Sequence, residues 1–210
     1  ATQRELFRFR GHEGVVRLLA FSPNGQWLAS ASSTDGTMRF WNAEAGIRTN
    51  VVARFYSLPA FAPDNRTVAV GNADGQIDLW DMETGALKET LPSEPNPLGF
   101  LEDGKVLITA TVRTPLPLQP NPIAGLKFWE RGSRTPSKVV EFSPPNLIVS
   151  AARLSPDASL LATGDPQGRV ILRDTKTGTV RKQLNAGSER IWNLVFMADG
   201  SVLAIGLAGE

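Results

Sequence analysis

His12 is the one histidine of the chain, and Ser30 and Asp35 follow it within a short stretch. These are the residue types of nucleophilic hydrolysis: a hydroxyl to attack, an imidazole to take its proton, a carboxylate to orient the imidazole. A second conceivable chemistry is sugar cleavage by paired carboxylates, with Asp35, Asp64, Asp74, Asp103, Asp157 and Asp199 as the acids. Each of these aspartates stands beside Gly, Asn or Ala in a turn-like run, where Asp is favoured because it bonds local backbone. The turns account for them without catalysis. Gly71 to Gly75 reads GNADG with no Lys and no helical pattern after it, so it is not a phosphate-cradling loop. One histidine and no cysteine leave too few ligands for a metal cage. No metal and no cofactor is expected.

The bulk properties narrow the partners. Lys and Arg number 22 against 21 Asp and Glu, a formal net charge of +1, so no large single-sign field draws nucleic acid or an anionic membrane. The absence of cysteine removes disulfides and thiol nucleophiles together. No apolar run approaches the roughly 20 residues of a membrane helix, and the opening residues lack a signal-peptide pattern. The expectation is a soluble chain whose partners are one or more proteins, with no nucleic acid and no direct membrane insertion. At 210 residues it is long enough to bury a core, and one compact domain over 1–210 is the simplest organisation.

What must position these residues is a repeat. Turn runs begin at Phe21 (FSPNG), Phe61 (FAPDN), Phe100 (FLEDG), Leu154 (LSPDA) and Phe196 (FMADG). They lie about 40 residues apart apart from one longer interval, the period of a repeat architecture. A second series keeps step with the first: DGTMRFW, DGQIDLW, AGLKFW and QGRVILR, ending at Trp41, Trp80, Trp129 and Arg173. Between the turns, short aliphatic and β-branched runs read as four strands per unit. Asp35-Gly36 between two of them has the chemistry of a tight hairpin. Helical spacing is nowhere sustained, so the fold class is all-β.

Gly11-His12, the aliphatic strand after it, Ser22-Pro23-Asn24-Gly25, Leu28 to Ser32, Asp35-Gly36 and Phe40-Trp41-Asn42 together resemble a full WD repeat. Leu79-Trp80-Asp81 carries the Trp-Asp pair itself. The resemblance extends over nearly the whole chain and implies a β-propeller of four-stranded antiparallel blades, with about four and a half blades present. The units span approximately 11–50, 51–91, 92–142, 143–185 and 186–210, and 1–10 resembles the outer strand of a preceding or closing blade. In the family, a histidine, a Ser or Thr of the second strand, the turn Asp and the third-strand Trp form one hydrogen-bond network. The resemblance places His12, Ser30, Asp35 and Trp41 in those roles, so these residues satisfy buried polar groups rather than form a triad. In the second unit Asp74 and Trp80 remain, with Val70 at the Ser position. In the fourth only Thr163 remains, Arg173-Asp174 replacing Trp-Asp; Trp129-Glu130 replaces it in the third.

Propellers of this family bind partners on the face carrying the loop into the first strand and the turn between the second and third. Carried over, these places are Val15, Arg17, Thr34, Phe55, Ser57, Ala73, Glu94, Asn96, Ile148, Ser150, Pro166, Arg190 and Trp192. Arg17, Phe55, Arg190 and Trp192 are the types that dominate interface energetics, although Phe55 and Trp192 equally suit packing between blades. The Pro-rich insertion Thr114 to Ile123 in the third unit reads as an exposed loop with polyproline II character. The last unit has no third strand, so the apolar strand Ser201 to Leu207 offers an edge, Val202 to Leu207, to a second chain. The reading is a non-catalytic protein-interaction scaffold, part of a larger or externally completed propeller. Alternatives are a five-blade ring holding a peptide or small ligand in its channel, and, least favoured, a hydrolase.

Overall fold

The computed structural model describes residues 7–32, 34–53, 57–93, 96–101, 104–112, 123–142, 149–197, 200 and 203–207. They form antiparallel β-propeller blades, and no α-helix occurs among them. The chain divides into two compact units, Ala1–Pro97 and Leu98–Glu210.

The first unit holds two blades. β1 (Val16–Phe21), β2 (Trp27–Ser32), β3 (Thr37–Asn42) and β4 (Ile47–Ala53) pair in sequence order, as do β5 (Ala60–Phe61), β6 (Thr67–Gly71), β7 (Ile77–Asp81) and β8 (Leu87–Leu91). The third blade, belonging from Leu98 onward to the second unit, comprises β9 (Pro97–Leu101), β10 (Val106–Val112), β11 (Ile123–Glu130) and β12 (Lys138–Glu141). The fourth is β13 (Ala151–Leu154), β14 (Leu160–Gly164), β15 (Arg169–Asp174) and β16 (Val180–Asn185). β17 (Ile191–Phe196) and β18 (Leu203–Leu207) form a two-stranded fifth sheet among the described residues. Of the expected outer strand before Gly11, residues 7–10 are described and carry no strand; the Phe9 ring instead lies 5.2 Å from that of Trp41.

The repeat in the sequence becomes a repeat in backbone geometry. Gly25, Asn65, Gly104, Ala158 and Gly200 close the turns between first and second strands with φ of 74°, 53°, 90°, 52° and 72°. This left-handed region favours glycine, and Asn tolerates it best among the rest. The turn after the third strand is built by its last side chain. Asn42, Asp81 and Asp174 each accept two backbone N–H groups through Oδ1, at 2.9 to 3.0 Å. The Asp of the Trp-Asp pair is therefore a turn cap.

Both faces of a middle strand are buried because blades stack. In the first unit Trp27, Ala29, Ala31, Met38 and Phe40 of the first blade pack against Val68, Val70, Met82, Phe61 and Trp80 of the second. In the second unit the same faces recur, Val106, Ile108, Ala110, Leu126 and Phe128 packing against Leu161 and Leu154 of the fourth blade. Ala162 and Val170 then pack against Ile191, Leu194, Leu203 and Ile205 of the fifth sheet.

Gly25 tests the turn geometry, since a Cβ there would meet nothing within 4 Å and only the backbone conformation is at stake. Gly25→Val is expected to lower unfolding stability by about 1–2 kcal/mol, read from urea denaturation. A midpoint equal to that of the parent chain would rule out the left-handed assignment.

Candidate functional site

In the first blade the loop before β1 delivers His12 to Ser30 of β2, Asp35 of the β2–β3 turn and Trp41 of β3. His12 Nδ1 lies 2.8 Å from Asp35 Oδ2, and Nε2 lies 2.8 Å from Ser30 Oγ. Trp41 Nε1 donates to the same Ser30 oxygen at 2.8 Å. The indole N–H can only donate and the carboxylate can only accept, which sets the direction of the chain. Trp41 donates to Ser30 and His12 Nδ1–H donates to Asp35, with Ser30 Oγ and His12 Nε2 sharing the hydrogen bond between them.

Asp35 is the anchor. It also accepts Thr37 Oγ1 at 2.7 Å, Thr37 N–H at 2.9 Å and Glu13 N–H at 3.0 Å. Burial by itself pushes this carboxyl up, but the Thr37 and His12 bonds and the two backbone donors outweigh it and hold it well below the usual carboxylate range.

The connectivity of His12, Ser30 and Asp35 is that of a hydrolytic triad, and accessibility separates the two readings. Ser30 is 4% exposed, its oxygen accepts the Trp41 N–H and shares a hydrogen bond with His12 Nε2, so it stands largely enclosed at the wall of a cavity of about 760 Å³ that it lines with His12 and Trp41. A nucleophile needs room for a carbonyl carbon about 3 Å from its oxygen.

The other blades vary this arrangement. In the third, Trp129 Nε1 donates to Thr109 Oγ1 at 3.1 Å, a pair that the sequence reading passed over although Thr109 stands in the repeat position of Ser30. In the second, Val70 offers no acceptor, and Trp80 Nε1 is buried with no hydrogen-bond partner. Asp74 is exposed, its own N–H donating to Asn72 Oδ1 at 3.0 Å. Asn72, and Asp165 in the fourth blade, cap their hairpins in its place. The signal was the Asx residue ending each second strand. In the fourth blade the buried Arg173 takes the Trp position, donating to Gly178 O at 3.1 Å with its guanidinium 4.8 Å from the Phe142 ring. Thr163 Oγ1 turns to Ile171 O at 3.4 Å.

The residues carried over as partner-binding divide in the same way. Arg17 is exposed beside the β1 bulge between Val16 and Leu18, with Val15 and Thr34 exposed near it in sequence. Ser57 and Ser150 serve the backbone: Ser57 Oγ accepts Gly71 N–H at 2.8 Å, and Ser150 Oγ donates to Ile191 O at 2.6 Å. Asn96 and Pro166 are half-buried and Ala73 is exposed. Trp192 is 60% exposed, and the Arg190 guanidinium stacks 4.5 Å from its ring. Phe55, Glu94, Ile148, residues 114–122 of the Pro-rich insertion and Val202 lie outside the described residues.

Arg169 pairs with Asp165 at 2.6 Å in the β14–β15 hairpin, and further ion pairs sit at the opposite ends of the strands. In the second blade Asp81 accepts Arg66 Nε at 2.7 Å and pairs with Lys88 Nζ at 3.0 Å. Burial pushes its carboxyl up, and the Thr84 N–H with Lys88 and Arg66 pulls it well below the usual range. Arg181 bonds Asp174 at 2.7 Å and, with the Thr177 N–H, draws that carboxyl down to about 2.

Known proteins share these repeats. The family described as "WD domain, G-beta repeat" matches residues 3–42 and 54–81. The chain is 26% identical over 186 residues to the Target of rapamycin complex subunit wat1 of Schizosaccharomyces pombe, covering 84% of this chain and 56% of that protein. It is 25% identical over 174 residues to the WD repeat-containing protein SL1-17 of Schistosoma mansoni, covering 80% and 56%. A shorter stretch of 84 residues is 42% identical to Periodic tryptophan protein 2 of Arabidopsis thaliana, covering 39% and 9%. The chain thus spans about half the length of the first two relatives.

Three outcomes test the network. His12→Ala is expected to cost about 1–3 kcal/mol, since it strands Ser30 and Asp35 in a buried setting; an unchanged melting temperature contradicts the structural role. Val70→Thr supplies Trp80 with the acceptor that Thr109 gives Trp129, and is expected to raise stability by about 1 kcal/mol; a loss in urea unfolding contradicts it. Asp35 is held below its unfolded value, so its contribution is present above the ordinary carboxylate range and is lost as the pH falls through and below that range. Asp35→Asn is therefore expected to lower stability at neutral pH and flatten the acid limb of the stability curve. A limb as steep as that of the parent removes Asp35 from this role.

Proposed function

Because the chain belongs to the WD-repeat family, we propose that it is a non-catalytic scaffold that holds partner proteins within a larger assembly. The observation that carries this reading is the Arg190–Trp192 shelf. A large aromatic left 60% exposed, with a guanidinium stacked on it at 4.5 Å, presents the two residue types that contribute most to interface energies. Arg17, exposed at a strand bulge, is a second candidate contact, with Ser57 and Asn96 in the loops of their own blades; Phe55 and Glu94 lie outside the described residues. The printed name of the Schizosaccharomyces pombe relative, a complex subunit, supports the reading by similarity.

The role of His12, Ser30, Asp35 and Trp41 in this proposal is architectural; in the second blade Asp74 and Trp80 do not rebuild the network, since Trp80 Nε1 has no hydrogen-bond partner and Asn72 caps the hairpin beside the exposed Asp74. The single histidine is tied to Asp35 and Ser30 and its side chain is 5% exposed, which supports a structural role.

The test is affinity capture followed by mass spectrometry. Arg17→Glu, Arg190→Glu and Trp192→Ala are expected to deplete the same captured proteins, with melting temperature and circular dichroism unchanged for the exposed Arg17 and Trp192 and read alongside capture for the half-buried Arg190. Capture that persists when all three are altered together moves the partner surface elsewhere. A chemical activity lost in His12→Ala at unchanged stability would sink the scaffold reading.

A further inference from the structure

The connection from the third strand to the fourth is built one way in the first, second and fourth blades and another way in the third. After Asn42, Asp81 and Asp174 it runs through residues 43–46, 82–86 and 175–179, a short turn closed by the two N–H groups that the Asn or Asp side chain accepts. Glu130 stands at that place in the third blade, and its connection is longer, the seven residues 131–137. Backbone bonds pin the two ends: Arg131 N–H donates to Lys105 O at 3.0 Å and Ser137 N–H to Phe128 O at 2.8 Å. Between them Ser133 holds the chain, its N–H donating to Glu130 O at 3.0 Å and its hydroxyl to Thr135 O at 2.7 Å, while Thr135 N–H donates back to Ser133 Oγ at 3.3 Å.

The longer connection carries a hydroxyl followed by proline, Thr135-Pro136. Five such pairs occur in the chain, beginning at Ser22, Thr114, Thr135, Ser143 and Ser155. Ser22 and Ser155 are buried and spend their hydroxyls inside their turns, on Asn24 Oδ1 at 2.8 Å and on Asp157 Oδ1 at 2.6 Å. Thr114 and Ser143 lie outside the described residues. Thr135 is exposed, its two bonds to Ser133 use its N–H and its carbonyl, and its hydroxyl makes no hydrogen bond among the described residues. Proline after an acceptor hydroxyl acts in two ways. It biases the residue before it toward extended backbone, and it carries no N–H, so a binding groove with no acceptor at that point selects it. Lys138, three residues after Thr135, is exposed too, its ammonium resting on the neutral Lys176 O at 2.8 Å.

We propose that Thr135 is a phosphorylation site for a protein kinase of the proline-directed class. The kinase moves the γ-phosphoryl group of ATP to Thr135 Oγ1: the bond from that oxygen to phosphorus forms, the bond from the γ-phosphorus to the β–γ bridging oxygen breaks, ADP leaves, and the hydroxyl proton passes to the kinase's base. Drawing the segment into an extended groove opens the three Ser133 bonds, none of which belongs to a strand ladder. The product carries about two negative charges at neutral pH directly beside the exposed Arg134. This site is independent of the scaffold reading, since it needs no bound protein other than the kinase.

The experiment incubates the full chain with ATP, Mg²⁺ and a purified kinase of the cyclin-dependent class, with a basophilic kinase in parallel, and maps phosphate by tandem mass spectrometry. A peptide of residues 130–140 reports what the sequence alone permits. Phosphate is expected on Thr135 of both chain and peptide with the proline-directed kinase. Thr135→Ser should keep the site, Thr135→Ala should abolish it, and Pro136→Ala is expected to slow transfer about tenfold or more. Circular dichroism of each variant should match the parent, since Thr135 is exposed. A chain left unmodified while the peptide is phosphorylated overturns the assignment, because the folded connection then excludes the kinase. An unmodified peptide overturns it at the level of recognition. Phosphate at Thr114 or Ser143 in place of Thr135, equal transfer to Pro136→Ala, or modification of Ser137 alone by the basophilic kinase, which reads Arg134 three residues before it, does so as well.

Discussion

The middle strands of these blades are apolar on both sides, and that constraint governs the rest. A sheet of this kind cannot face water on either side, so each blade must be covered by a neighbour. Val68 and Val70 lie under Trp27, Ala29 and Met38 in the first unit, and Leu161 lies under Ile108 and Phe128 in the second. Nothing in the core is specific to one blade. Volumes trade between positions, as where Ile108 fills the place of Ala29, and the faces still close.

Stacking apolar faces leaves a polar residue problem at the third-strand position that carries Trp in three blades. The indole N–H is drawn into the stack and needs an acceptor, and the first and third blades provide Ser30 and Thr109. The first extends the chain to His12 and Asp35, which ties its loop to two strands and a turn. The fourth blade replaces the indole by Arg173, whose charge is accommodated over Phe142 and at a carbonyl; burial lowers its guanidinium from the usual value. The second leaves Trp80 without an acceptor, at a cost of about 1–3 kcal/mol. On the scaffold reading, a residue set that looks catalytic in one blade is one solution among four to the same burial problem.

The proposed scaffold reading places binding where the repeat leaves side chains exposed. The Arg190–Trp192 shelf stands out of the fifth sheet. Binding capacity in such a chain arises from side chains released from internal duties.

Periodicity made the blades readable from the sequence. FSPNG and its four copies mark positions where one residue must be left-handed, and Gly, Asn and Ala at that place report the turn directly. The in-step line ending at Trp41, Trp80, Trp129 and Arg173 marks the third strands for the same local reason. Local chemistry does not say which side chains meet across strands. The pairing of Thr109 with Trp129, the orphaned N–H of Trp80, and the substitution of Asn72 and Asp165 for the turn Asp all depend on register and on volumes brought from distant residues. The sequence by itself determined the strands, their turns and their order, because hairpin turns and two-residue alternation act over a few neighbouring residues. The tertiary structure alone decided which polar groups are satisfied inside and which are left outside to bind, because hydrogen bonds and ion pairs reach about 3 Å and are set by side chains that only the stacked sheets bring together.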